Sequence, residues 1–190
     1  IYYCIRNGAH SVGKVVKYTV FLPVIFLLIM AVKGISMPGA MEGIKKLFIP
    51  DFSALSSAGL WVDAVGQVFY SLSIMMAIMF AYGSFLDDDS NIAVDTLIIA
   101  FSNMAVSILA GIVMFSTMGG VGMLDQITSS GIAAAFIVYP QAIVSLTSIG
   151  WINAIFGLMF YLCLAALAID SAFSIVEGVS TAIYDKFGLP

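Results

Sequence analysis

The chain has 190 residues, of which 62% are hydrophobic and only 9% are charged. A soluble domain of this length needs far more charge on its surface, so the composition excludes a soluble globular protein. The net charge is −4 without a basic cluster, which argues against nucleic acid as a partner. Two cysteines and one histidine indicate neither a transition-metal site nor a disulfide framework. We therefore expect an all-α, polytopic helical membrane protein.

Apolar runs long enough to cross a bilayer recur along the chain. In a single transmembrane domain over 1–190 we predict four spans, at about 12–32, 61–86, 92–119 and 151–182. The segment 120–148 is dotted with Gly, Ser and Thr, which favours a helical hairpin at a membrane face over a further span. The chain begins without Met and stops directly after a predicted helix, so we expect it to be a piece of a longer protein.

The second and third spans each carry an amide and a hydroxyl one helical turn apart. These pairs are Gln67 with Ser71, and Asn103 with Ser107. All four side chains donate hydrogen bonds while staying neutral, which suits an anion, and their oxygens could also ligate a cation. The alternative is that they form hydrogen bonds between helices, which are common in membrane bundles.

The fourth span contains a carboxylate far from either of its ends. Asp170, Ser174 and Glu177 fall on one stripe, with Ser171 beside it. A charged group at such depth is costly and marks an ion or substrate path by default. Carboxylate and hydroxyl oxygens are hard ligands, suited to a small cation such as sodium. The alternative is a buried carboxylate paired with a basic or protonated side chain.

At these residues the chain resembles the neurotransmitter:sodium symporter family. The segments LWVDAVGQVFYSLS (60–73), SNMAVSILAG (102–111) and LAIDSAF (167–173) carry the resemblance, in the family's order and spacing. The resemblance runs nearly end to end. It implies a partial LeuT-type inverted-repeat bundle, from the end of helix four to helix eight of a twelve-helix fold. The region 120–148 then contains an extracellular loop.

The resemblance also implies ion ligands. The second sodium site is matched by Leu167 through its carbonyl, Asp170 and Ser171, and the first sodium site by Ser71 and Asn103. The family's chloride site is matched by Gln67, Ser71, Asn103 and Ser107. Chloride-independent members carry an acidic residue at the position of Ser107, so the serine favours a chloride-linked transporter.

Further positions match the family's substrate pocket and moving parts. The pocket positions are Tyr70, Ser71, Ser73, Met76, Ser171 and Ile175. Asp185 matches the acidic half of an intracellular gate, and Gly13 with Pro23 match a pair that lets a helix unwind. Met75 and Ala77 depart from the pattern, because the family usually has glycines there, and Phe85 replaces a usual tyrosine.

These matches predict part of a sodium-coupled symporter for a small amino acid or amine, working by alternating access. Sodium is the co-transported ion, with chloride linked. The partners are the small-molecule substrate, the lipid bilayer and the remaining helices of the full-length transporter, and the location is the plasma membrane. Two alternatives are an intramembrane enzyme using Asp170 and Glu177 as an acid–base pair, and a structural subunit without transport. We predict no enzyme, since no water-accessible nucleophile or transition metal is evident.

Overall fold

A computed structural model describes residues 9–74, 78–84, 86–87, 89–126, 136, 139–144 and 146–188. Within these ranges every regular element is a helix, which confirms the predicted all-α class. The α-helices are α1 (Ala9–Ile35), α2 (Ala40–Phe48), α3 (Ala58–Ser71), α4 (Ile78–Gly83), α5 (Ile92–Val121), α6 (Tyr139–Val144) and α7 (Gly150–Phe187). Short 3-10 turns at Phe52–Ser56 and Leu124–Gln126 complete the set.

Two of the described helices are long and apolar enough to cross a bilayer. They are α5, with 30 residues, and α7, with 38, and each exceeds the ~20 residues that a span requires. The bent pair Val20–Ile35 and Ala40–Ser56 adds a third crossing if it is one broken span. Apolar side chains such as Phe101 and Leu158 are more than half exposed on these helices, as expected for helices that are surrounded by lipid and not by water.

The helix is interrupted within the predicted span 61–86. Helix α3 ends at Ser71, a turn follows over 72–74, and α4 begins at Ile78. Ser73 adopts a left-handed conformation, with φ of 53°, which costs a residue with a Cβ roughly 1–2 kcal/mol. Met75 and Ala77, the departures from the family pattern, lie outside the described residues, as does Phe85. The sequence prediction missed the interruption because the run contains neither Gly nor Pro where the helix ends.

The chain divides into two compact units. The first comprises 1–16, 51–105 and 167–190, and the second comprises 17–50 and 106–166. In the second unit, side chains of α1, α5, α6 and α7 form a buried cluster around Met30 and Val113, both fully buried. Tyr139 adds a ring contact to Phe160, with centroids 4.9 Å apart.

Helix α2 packs against the end of α5 through glycines. A Cβ at Gly43 would overlap the carbonyl oxygen of Phe115, and one at Gly119 would lie 2.8 Å from the carbonyl oxygen of Gly39. Nζ of Lys46 donates to the carbonyl oxygen of Leu124 (3.3 Å) and connects α2 to the 3-10 turn that follows α5. Backbone contact this close leaves no room for side chains, so these glycines are required by packing.

Asn153 fixes the connection that leads into α7. Its Nδ2 donates to the carbonyl oxygens of Val144 (2.6 Å) and Thr147 (2.8 Å). Its Oδ1 accepts from the backbone N–H (3.1 Å) and the hydroxyl (2.8 Å) of Thr147. The side chain is buried and all its hydrogen-bonding groups are used, so it holds the loop at little desolvation cost.

Candidate ion and substrate site

The first unit brings an amide and a hydroxyl from two helices into contact. Ser71 is the last residue of α3, and Asn103 lies in the middle of α5. Nδ2 of Asn103 donates to Oγ of Ser71 at 2.5 Å, and both residues are half-buried. The two residues predicted to ligate the first sodium site are therefore neighbours. The amide carbonyl of Asn103 is left as an oxygen donor.

The other two predicted chloride ligands lie along the same helices. Gln67 is one turn before Ser71 on α3, and Ser107 is one turn after Asn103 on α5. Both side chains are exposed, and neither makes a hydrogen bond to the residues that the structure describes. Gln67 belongs to the first unit and Ser107 to the second. The chloride site of four side chains stays a prediction.

Asp170 on α7 has a carboxylate that is shielded from solvent. Both of its side-chain oxygens are shielded from solvent, and neither finds a hydrogen-bond donor among the described residues. A buried polar group left this way costs free energy, and an ionised carboxylate costs most. A cation at this position would supply the missing partner. Within the described part of the chain, no group of three His, Cys, Asp or Glu side chains converges as a metal site would.

The neighbours of Asp170 present oxygen atoms from the same helical turn. Oγ of Ser171 donates to the carbonyl oxygen of Leu167 at 3.0 Å. The hydroxyl oxygen of Ser171 keeps its lone pairs for a further ligand, and a carbonyl oxygen can accept twice. The three residues predicted for the second sodium site thus offer a carbonyl, a carboxylate and a hydroxyl within one turn of α7. These are hard oxygen donors of the kind that small hard cations prefer.

A cavity of about 370 Å³ lies within the first unit, beside the interruption between α3 and α4. Five of the six residues predicted to contact substrate line it, together with Asn103. Those five are Tyr70, Ser71, Ser73, Ser171 and Ile175. The sixth, Met76, lies outside the described residues. The described lining carries no charged side chain, and it mixes hydroxyl groups with aliphatic ones such as Ile78 and Ile99.

Two residues of this cavity did not stand out as pocket residues in the sequence. Tyr82 on α4 and Ser174 on α7 both line it, and their hydroxyl oxygens are 2.9 Å apart. Tyr82 lies in a short apolar stretch, where an aromatic residue usually indicates packing, and Ser174 was noted only for sharing a stripe with Asp170. No signal within the sequence indicates that the two residues meet.

The remaining predicted residues are not among those that line this cavity. Asp185 is exposed in the last turn of α7, next to Lys186, whose Nζ is 5.7 Å from the ring centroid of Phe187. Gly13 and Pro23 both lie within α1, which is helical from Ala9 to Ile35, and Pro23 is buried. The predicted roles of Asp185 in gating and of the Gly13–Pro23 pair in unwinding stay predictions.

The long apolar helices, and the helix interruption beside a cavity lined partly by hydroxyl groups, define a multi-pass integral membrane protein. A model of the sodium:neurotransmitter symporter family matches residues 1–189, and the chain belongs to this family of transporters.

Curated relatives agree with this assignment. The chain is 35% identical, over 97% of its length, to an uncharacterised sodium-dependent transporter of Methanocaldococcus jannaschii. It is 35% identical, over 98% of its length, to the sodium-dependent serotonin transporter of Drosophila melanogaster. It is 33% identical, over 97%, to the human sodium- and chloride-dependent creatine transporter 1. These alignments cover 37%, 30% and 29% of the three relatives, so the chain spans about a third of their length.

Proposed function

We propose that these residues are part of a sodium-coupled symporter that moves a small amino acid or amine across the plasma membrane by alternating access. The observation that carries the proposal is the buried carboxylate of Asp170, which has no partner among the described residues and lies one residue before the cavity-lining Ser171. Sodium-dependent transport appears in the names of the three relatives, including the serotonin and creatine transporters. A cavity whose described lining has hydroxyl groups, aliphatic walls and no charged side chain suits a small, mostly neutral solute.

Sodium would enter this scheme as cargo that also selects a conformation. Its charge offsets that of Asp170, and Leu167 and Ser171 supply further oxygen atoms. A cation that binds one conformation more tightly than another shifts the population toward the first. We propose that sodium favours the state that accepts substrate. The interruption between α3 and α4 supports this, because broken helices present backbone groups to ions and substrates.

Chloride linkage is a second, finer part of the proposal. The neutral side chains Gln67, Ser71, Asn103 and Ser107 offer hydrogen-bond donors without a competing carboxylate. The human creatine relative is named as sodium- and chloride-dependent, and that name supports an anion requirement in the family. The remaining helices of the full-length protein would complete both ion sites.

The two rival functions make different demands on the chain. An acid–base pair of Asp170 and Glu177 would need a water-accessible nucleophile or metal beside it. A structural subunit would leave a costly buried carboxylate without a purpose. Membership in a family of transporters favours transport over both.

The direct test of the carrying observation is Asp170→Asn in the full-length protein. The substitution keeps the side-chain shape but removes the charge, so the sodium concentration for half-maximal uptake should rise at least about tenfold, a loss of about 1.4 kcal/mol. Asp63→Asn, an exposed carboxylate on α3, serves as the matched control. Sodium activation that is unaltered by Asp170→Asn would show that this carboxylate does not hold the ion.

A further inference from the structure

The described part of the cavity contains a hydrogen-bonded chain of three groups that connects α4 to the turn of α7 carrying Asp170. The hydroxyl oxygen of Tyr82 is 2.9 Å from Oγ of Ser174. Oγ of Ser174 is in turn 3.2 Å from the backbone carbonyl oxygen of Asp170. This hydrogen-bonded chain therefore leads from a cavity-lining ring to Asp170, whose carboxylate has no partner among the described residues.

Proton counting fixes the direction of this chain. A serine hydroxyl has one proton, and Ser174 uses it to donate to the Asp170 carbonyl. The Tyr82 hydroxyl must then donate to Ser174, because the serine has no second proton to offer. Tyr82 thus holds Ser174 in the rotamer that bonds the backbone of Asp170. Removing the tyrosine hydroxyl would free the serine to rotate.

A second contact between α4 and α7 agrees with the position that the Tyr82–Ser174 contact gives to α4. A Cβ added at Gly178 would be 3.6 Å from the Cα of Ile78, so the two helices pass close to each other there. Ile78 is four residues before Tyr82, and Gly178 is four residues after Ser174. The two contacts are one turn apart and run in opposite directions along the two helices. Helix α4 therefore docks antiparallel on α7 over at least one turn, with the hydroxyl pair as its polar contact.

Helix α4 is the segment after the interruption at 72–74, so it is not held in place by continuity with α3. Its position relative to Asp170 must come from contacts such as these. We propose that Tyr82, acting through Ser174, is a positioning residue that fixes the Asp170 turn of α7 for sodium binding. This inference rests on the proposed sodium-coupled function.

The test measures binding of radiolabelled sodium to the purified full-length protein. Tyr82→Phe keeps the ring and removes the hydroxyl, and Ser174→Ala removes the middle of the chain. Each should raise the half-saturating sodium concentration roughly two- to tenfold, the change expected for one neutral hydrogen bond, with the number of sites unchanged. The double variant should match the single variants, because both break the same chain. Ser174→Thr retains a hydroxyl and should restore binding.

Gly150→Ala, at the start of α7, is the control. A Cβ added there would meet no other atom within 4 Å, so sodium binding should stay as in the wild type. Unchanged sodium affinity in Tyr82→Phe or Ser174→Ala, or a double variant whose effect is the product of the two single effects, would overturn the inference alone. Wild-type protein that binds no sodium would overturn the proposed function and this inference together.

Discussion

At the scale of single residues, the proposal for sodium rests on Asp170 and the proposal for chloride rests on Ser107. Both side-chain oxygens of Asp170 are shielded from solvent, and neither has a partner among the described residues. Ser107 is neutral and exposed, one turn beyond Asn103 on α5. The negative charge of an anion bound near Ser107 would offset positive charge of the transported sodium. A fixed carboxylate at the same place could supply the negative charge of that anion.

The substitution Ser107→Glu tests this reasoning. We expect it to make uptake by the full-length protein largely independent of chloride, because the new carboxylate supplies the negative charge in place. Uptake is measured with external chloride exchanged for gluconate, in the wild type and the variant. Ser148→Glu, at an exposed position before α7, is the control for the added charge itself. Wild-type uptake that ignores the exchange would remove the chloride proposal, and the four neutral residues would be left as candidates for interhelical hydrogen bonds.

At the scale of helices, packing of backbone against backbone holds α2 on α5. Helix α2 spans only nine residues, which is too short to be stable in water by itself. Gly43 lets it approach the carbonyl oxygen of Phe115 within the second unit. The position of α2 therefore depends on the absence of a single methyl group.

Gly43→Ala should destabilise the full-length protein by at least about 2 kcal/mol, since overpacking forces the backbone to shift. The measurement is the thermal unfolding midpoint of the protein in detergent. Gly157→Ala on α7 is the control, because its methyl group would be 3.5 Å from Cγ2 of Ile143, an ordinary contact. An equal midpoint for the two variants would contradict the packing of α2 described above.

The sequence predicted the helical class and the family, and both are confirmed. The length of the hydrophobic runs is sufficient to predict the helical class, because a continuous apolar segment that spans a bilayer must satisfy its backbone hydrogen bonds as a helix. The interruption after Ser71 was not predictable from periodicity, since Leu72 and Ile74 continue the apolar pattern and Ser73 takes a conformation that a serine rarely adopts. Local propensity was overridden there by tertiary structure.

The candidate site was predictable only in part, for a related reason. The family pattern pointed to Ser71, Asn103 and Ser171, which the structure gathers around one cavity. Tyr82 and Ser174 are 92 residues apart and meet only through the docking of α4 on α7. A single sequence contains no record of such a pairing. The ligand assignments themselves stay predictions until ion binding is measured.

At the scale of the whole molecule, the proposed function depends on coupling between sodium and substrate. The chain covers about a third of its relatives' length, so the full-length protein is the object to measure. Coupling means that the sodium gradient drives substrate transport, so it cannot be established from binding measurements alone. Coupling requires that net accumulation of substrate against its own gradient stop when the sodium gradient is removed.

The most direct measurement is uptake into liposomes that contain the purified full-length protein. Radiolabelled neutral amino acids and amines are offered under an inward sodium gradient, under equal sodium on both sides, and with sodium replaced by potassium. We predict that at least one of these solutes accumulates above its external concentration only under the gradient, and that sodium enters with it. If no solute in the panel accumulates, or if accumulation is the same without the gradient, the protein is not a sodium-coupled symporter for this class of substrate.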